Sequence, residues 1–138
     1  MVSLRRASLA VVALALLASC SNRESPTNKR PQAGTATASS VDGVQEIVIT
    51  SGVDLRFHPS TLVVHPGKVR IVLENTSKPG AGPPHNAIFA GLPGADVPLA
   101  MAGRAAQSAT FTAPAPGTYT FVCSIHAAQG QTGKLIVK

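Results

Sequence analysis

The sequence predicts an all-β fold, a sandwich or barrel of seven to eight short strands. Three observations carry that expectation. From Val44 onward, apolar stretches of four to eight residues recur, and they are rich in Val, Ile, Thr, Tyr and Phe. Runs of Gly and Pro separate them, which supplies turns at the spacing that sandwiches and barrels require. Helical periodicity is missing, apart from one turn's worth in Val97 to Ala105.

Each strand has its own reason. "QEIVIT" (45–50) and "TLVVH" (61–65) are β-branched runs too short for helices. "KVRIVLEN" (68–75) alternates, with Val69, Ile71 and Leu73 set against Arg70 and Glu74, the mark of a strand with one wet face. "HNAIF" (85–89), "SATFTA" (108–113), "GTYTFVC" (117–123) and "GKLIVK" (133–138) complete the set. "HPGK", "KPGAGPP" and "PAPGT" are the turns between them. No internal repeat is visible. The 95 residues from Val44 to Lys138 are enough for one compact core.

The chain before Val44 reads differently. Arg5 and Arg6 precede an apolar run from Leu9 to Ala18, too short to span a bilayer and followed by small residues. That is the pattern of an export signal. Leu17-Ala18-Ser19-Cys20 resembles the lipobox of bacterial lipoproteins, whose cysteine becomes the lipidated first residue of the mature protein. An ordinary cleaved signal is the alternative. Residues 21–40 are dominated by Ser, Thr, Asn, Pro and Ala without an apolar period, as in a flexible tether. The expected organisation is therefore a signal at 1–19, a lipidated Cys20 with its tether at 20–43, and a folded domain at 44–138. The implied location is extracytoplasmic, on a bacterial membrane, facing the periplasm or the outside.

The chain has two cysteines, and an exported protein would normally join them. If Cys20 carries lipid, Cys123 is a lone thiol in an oxidising compartment, where an exposed one would be oxidised or captured. A metal is the commonest protector with a purpose. The formal charge of +6 comes mostly from the signal and tether, since from Val41 onward seven Lys and Arg face five Asp and Glu. With no basic stripe and few aromatic residues, nucleic acid is not an expected partner.

Three candidate ligands stand out: His85, Cys123 and His126. Cys123 ends a strand on the face of Tyr119 and Phe121, so its sulfur should point inward. His126 follows after two residues and can fold back to the same point. A sandwich can bring His85, 38 residues upstream, to that place. Two imidazoles and a thiolate make the trigonal set that copper uses for electron transfer, with a weak axial fourth partner. Zinc would want a fourth strong ligand, and no second thiol is at hand. Cys-x-x-His alone is a weak signal. His58 and His65 each precede a proline and read as turn geometry.

The surrounding text raises the specificity. "PPHNAIF", "PAPGTYTFVCSIH" and "GQTGKLIVK" together resemble the plastocyanin-like cupredoxins, the small blue copper proteins. The resemblance covers roughly Val44 to Lys138. It implies a Greek-key β-sandwich with one mononuclear type 1 copper near one end, held by His85, Cys123 and His126. Asn86 and Ser124 would tie the ligand loops together behind the metal. Gln131 stands where most of these proteins carry an axial methionine, and glutamine is an alternative axial partner in the stellacyanin-like members. Met101, the other candidate, lies outside the ligand loop.

The expected function follows. It is a membrane-tethered monomer, not an enzyme, that passes single electrons between redox proteins of cytochrome or oxidase type at the membrane surface. The imidazole edge of His126, flanked by Pro83, Pro84, Ala127 and Ala128, would be the way in and out. A copper-delivery protein without redox duty is the alternative, favoured by methionine- and histidine-rich tracts that the sequence lacks. A cupredoxin-shaped interaction module with an empty site is a second.

Overall fold

The computed structural model describes residues 34–138. The signal, Cys20 and most of the tether lie outside the described residues. Ten strands form: β1 (Thr35–Thr37), β2 (Ser39–Val41), β3 (Val44–Ser51), β4 (Thr61–Val64), β5 (Gly67–Asn75), β6 (His85–Phe89), β7 (Val97–Ala100), β8 (Gln107–Ala113), β9 (Gly117–Val122) and β10 (Thr132–Val137). They make two sheets, in the orders β1-β4-β10-β9-β6-β7 and β2-β3-β5-β8. Both sheets are mixed, with β3–β5, β1–β4 and β4–β10 running parallel. A 3-10 turn at Ala127–Gln129 is the one helical element among the described residues, and no helix there is long and apolar enough to cross a membrane.

The expected β-sandwich forms, with two corrections. Ten strands replace seven or eight, and folding starts before Val44. Strands β1 and β2 fall in the stretch whose composition reads as tether. Both lie on the sheets' outer edges, mostly exposed, so their sequences need no apolar stripe. The turn expected in Val97 to Ala105 is also split. Val97–Ala100 pairs with β6, and only then does the chain turn, with Arg104 N–H donating to Met101 O at 3.1 Å.

The core lies between the sheets. Alternation sends Ile47 and Ile49 of β3 and Val69, Ile71 and Leu73 of β5 inward against Leu62, Val64, Phe121, Leu135 and Val137. Phe121 is its centre, 4.9 Å from Phe57 and 4.7 Å from Phe89 between ring centroids, spacings at which aromatic pairs attract. At one end of the sandwich the inward stripes stop being apolar. After Ile47 and Ile49 comes Ser51, after Ile71 and Leu73 comes Asn75, and Gln131 stands ahead of Gly133 and Leu135. These polar breaks are level with one another and mark the site.

Candidate metal centre

Register builds the site. Strands β9 and β10 pair as Val122 with Thr132 and Phe121 with Gly133, and the ladder continues one step to Cys123 N–H donating to Gln131 O at 3.0 Å. Residues opposed across an antiparallel ladder share a face. Cys123 and Gln131 therefore both point inward, above Phe121. Gly133 has to be glycine there, because a Cβ would lie 2.2 Å from Phe121 Cζ. Between them the chain makes a tight loop. His126 N–H donates to Cys123 O at 3.2 Å, the 3-10 turn follows, and Gln131 N–H returns to His126 O at 3.2 Å. Gly130 closes the turn at φ 82°, a left-handed conformation that favours glycine.

The upstream donor comes from β6. Its pairing with β9 sets Ile88 opposite Val122, and the same register brings Asn86 level with Ser124. Asn86 Nδ2 donates to Ser124 Oγ at 2.9 Å, while Asn86 Oδ1 accepts from Ser124 N–H at 2.8 Å. These bonds fix the loop to the strand. The pairing of β6 with β7 shifts register between His85 and Ala87, a bulge that interrupts the alternation. His85 and Asn86 are both buried there.

The result is a buried cluster. The donor atoms of His85, Cys123 and His126 lie within 4.8 Å of one another. Cys123 Sγ is 3.4 Å from His126 Nδ1, and Gln131 Oε1 is 3.1 Å from the Nδ1 atoms of both histidines. His85, Cys123 and Gln131 are wholly buried, whereas His126 is half-buried and reaches the surface. Cys123 is free, with no second thiol among the described residues. Burial pushes the His85 imidazole below its ordinary value near 6.5. The hydrogen bond to Gln131 opposes that push, and the neighbouring His126 adds to it. A ring that resists protonation keeps its lone pair ready for a metal. His85 Nε2 has no partner of normal hydrogen-bond geometry, although the Gly52 backbone is near enough to raise its affinity for a proton.

All four expected donors converge, as do Asn86 and Ser124. Met101 does not, being 49% exposed on the loop after β7. His58 and His65 sit at opposite ends of the sandwich. His58 pairs with Asp54 and exchanges backbone hydrogen bonds with Thr50, and His65 is held by Gln45 and the Lys138 carbonyl. Two contributors escaped sequence reading. Ser51 Oγ accepts from Gln131 Nε2 at 2.5 Å. Arg56 Nη1 donates to Gln129 O at 2.7 Å, clamping the ligand loop from outside. They lie 80 and 73 residues from their partners, and only the inward polar position of Ser51 could have hinted at either.

Comparison with known proteins agrees with this geometry. A family model for the cupredoxin-like domain matches residues 8–137. Plastocyanin from Synechococcus sp. (strain JA-2-3B'a(2-13)) is 37% identical over 65 residues, covering 39% of this chain and 46% of the relative. The chain thus spans under half the length of that curated relative. Among solved structures, dithionite-reduced auracyanin from Roseiflexus castenholzii is 27% identical, covers 67% of this chain and 96% of its own, and superposes with a TM-score of 0.57. Auracyanin A, a "blue" copper protein from Chloroflexus aurantiacus, is 28% identical, covers 70% of this chain and 100% of its own, and gives a TM-score of 0.58. A His-Cys-His cluster of this kind suits one type 1 copper ion, a fit that rests on a thiolate and two nitrogens already gathered in a buried place. By the match of the family model across residues 8–137, this chain belongs to the cupredoxin-like domain family.

Proposed function

We propose that the chain is an extracytoplasmic carrier of single electrons, tethered to a bacterial membrane through lipid on Cys20. His85, Cys123 and His126 would hold one copper ion, with Gln131 as a weaker fourth partner. The observation that carries this reading is the convergence of four donors, of which His85, Cys123 and Gln131 are wholly buried and only His126 reaches the surface. Copper, when bound, supplies a one-electron couple between Cu(I) and Cu(II).

The residues do the rest. Cys123 contributes a soft thiolate and the two imidazoles contribute borderline nitrogens, a set that suits both copper states. Strand β6, the Asn86–Ser124 stitch and the Arg56 clamp tie the donor-bearing segments to the sandwich, which would limit how far they move when an electron passes. The wholly buried Cys123 and His85 keep water and oxidants from the sulfur. Around His126, Pro83 and Pro84 are half-buried, Ala127 and Ala128 are exposed, and Ile125 is 47% exposed. Such a small apolar rim suits brief docking of a redox protein, with an interface below ~1,200 Å². Members of the family are electron carriers rather than enzymes, and the chain is read in the same way.

Copper-loaded, oxidised protein should show the intense visible absorption of thiolate-to-Cu(II) charge transfer, and Cys123→Ser should abolish it while leaving the fold intact. A colourless protein that takes zinc equally well would overturn the carrier reading. The anchor has its own test. Cys20→Ala should move the protein from the membrane fraction to the soluble one, and a disulfide between Cys20 and Cys123 in native protein would refute both anchor and copper site.

A further inference from the structure

The side-chain amide of Gln131 has two unlike ends of nearly equal size. The oxygen can offer a lone pair to a metal, but the nitrogen, whose lone pair is delocalised, cannot. Which end faces the cluster therefore decides whether a fourth donor exists at all. The backbone does not decide it, because turning the amide about its last bond moves no other atom. Only hydrogen-bond partners can.

Ser51 is the partner the fold provides. It continues the inward stripe of Ile47 and Ile49 on β3, is wholly buried, and belongs to the sheet opposite the one that carries Cys123 and Gln131. Gln131 Nε2 donates to its Oγ at 2.5 Å, a close contact, while Oε1 turns toward the Nδ1 atoms of His85 and His126 at 3.1 Å each. Ser51 is itself anchored by its carbonyl, which accepts from Thr76 N–H at 2.8 Å and from Thr76 Oγ1 at 3.2 Å. The hydroxyl thus stands on a fixed strand end and takes up the amide's donor.

We propose that Ser51 is a positioning residue that holds the Gln131 amide with its oxygen toward the copper position and thereby sets the reduction potential. The proposal rests on the copper reading above, with Gln131 as the fourth partner. An amide oxygen is a harder donor than a thioether and favours Cu(II), which lowers the potential. Without the hydroxyl, the buried NH₂ loses its acceptor, and an unsatisfied buried donor is costly enough to turn the amide. The oxygen would then no longer face the copper position, and the support it would give Cu(II) would be lost.

The test is a cycle on the full, copper-loaded chain: wild type, Ser51→Ala, Gln131→Met, and both together. Gln131→Met should raise the potential by more than ~59 mV, a tenfold change in the one-electron equilibrium. Ser51→Ala should raise it in the same direction by at least about threefold, roughly 28 mV. In the Gln131→Met background Ser51→Ala should add almost nothing, since the thioether has no NH₂ to hold. Equal shifts in both backgrounds would reduce Ser51 to packing, and no shift beside an active Gln131→Met effect would overturn the proposal alone. If Gln131→Met leaves potential and spectrum unchanged, Gln131 is not at the copper and the fourth-partner reading falls with it. A second readout needs no metal. In metal-free protein the Gln131 side-chain NH₂ should give a shifted, exchange-protected NMR signal that Ser51→Ala loses and Ser51→Thr keeps.

Discussion

His85 starts a strand in the middle of a sheet and is wholly buried, whereas His126 hangs from the Ser124–Gly130 loop and is half-buried. Their rings are 5.1 Å apart and tilted by 53°. The first inherits its position from sheet pairing with Ala100 and from the bulge of β6. The second inherits it from local hydrogen bonds to Cys123, Gln129 and Gln131, within a loop that can present small side chains to a partner. The same ring therefore serves two ends: one fixes the geometry from within, and the other offers an edge at the surface. Rigidity on the exposed side has to be imported, from β10 beneath the loop, from Asn86 beside it and from Arg56 outside it.

The comparison is broken most severely by removing the seat of the loop. Gly133→Ala places a methyl against Phe121, which cannot yield because Phe57 and Phe89 hold its ring. Overpacking of this kind should cost about 3 kcal/mol, read from the denaturant midpoint, and should weaken copper binding. An unchanged midpoint would mean that the exposed half does not depend on the β9–β10 hairpin.

Asn86→Ala cuts the stitch between the two halves. Loss of its part-buried bonds to Ser124 should cost about 1 to 2 kcal/mol. Copper should also be lost faster to a chelator. Ser124→Ala should cost less, because its backbone N–H still reaches Asn86 Oδ1. Equal effects from the two substitutions would show that the backbone bond contributes nothing.

The smallest expected effect separates the halves by pH. In metal-free protein, burial lowers the proton affinity of His85 below that of the unfolded chain. The unfolded state then binds more protons, so stability present above pH 6.5 should decline as the pH falls through that value toward the lower folded one. Asp54 acts in the same direction but in a separate window. Burial raises its carboxyl, yet the bond and charge of His58 outweigh that and hold it below 3.8. Denaturation midpoints at pH 7.5 and 5.5 should differ, and His85→Gln should flatten the difference. A difference that survives that substitution would place its origin elsewhere.

Much of this was legible because local chemistry and fold agree. Every strand from Val44 onward except β7 shows in its short apolar run, and Cys123 shows its inward face through Phe121 two residues before it. Gln131 stood out because its place in the ligand loop is one that a sulfur usually fills. The edge strands β1 and β2 were hidden because an exposed edge demands hydrogen bonds and not apolar side chains. Ser51 and Arg56 were hidden because their partners are set by the packing of one sheet on another, and sequence spacing carries no trace of that. Asn86 and Ser124 were found only through resemblance, since nothing in either residue announces the register that joins them.

The direction of β1 has a mechanical consequence. It runs parallel to β4, whose first residue is level with Lys134 near the start of β10, so the chain enters the sandwich beside the copper end and leaves it, at Lys138, from the other. On the proposal that Cys20 carries lipid, the pull of that anchor would fall on the entry side. Fourteen residues lead from Cys20 to Gly34, a reach of at most about 50 Å. An anchor there would draw the His126 end toward the membrane, and a lipid attached after Lys138 would turn it outward. The fold's first three paired residues would then act as a compass, setting which end of the sandwich faces the membrane.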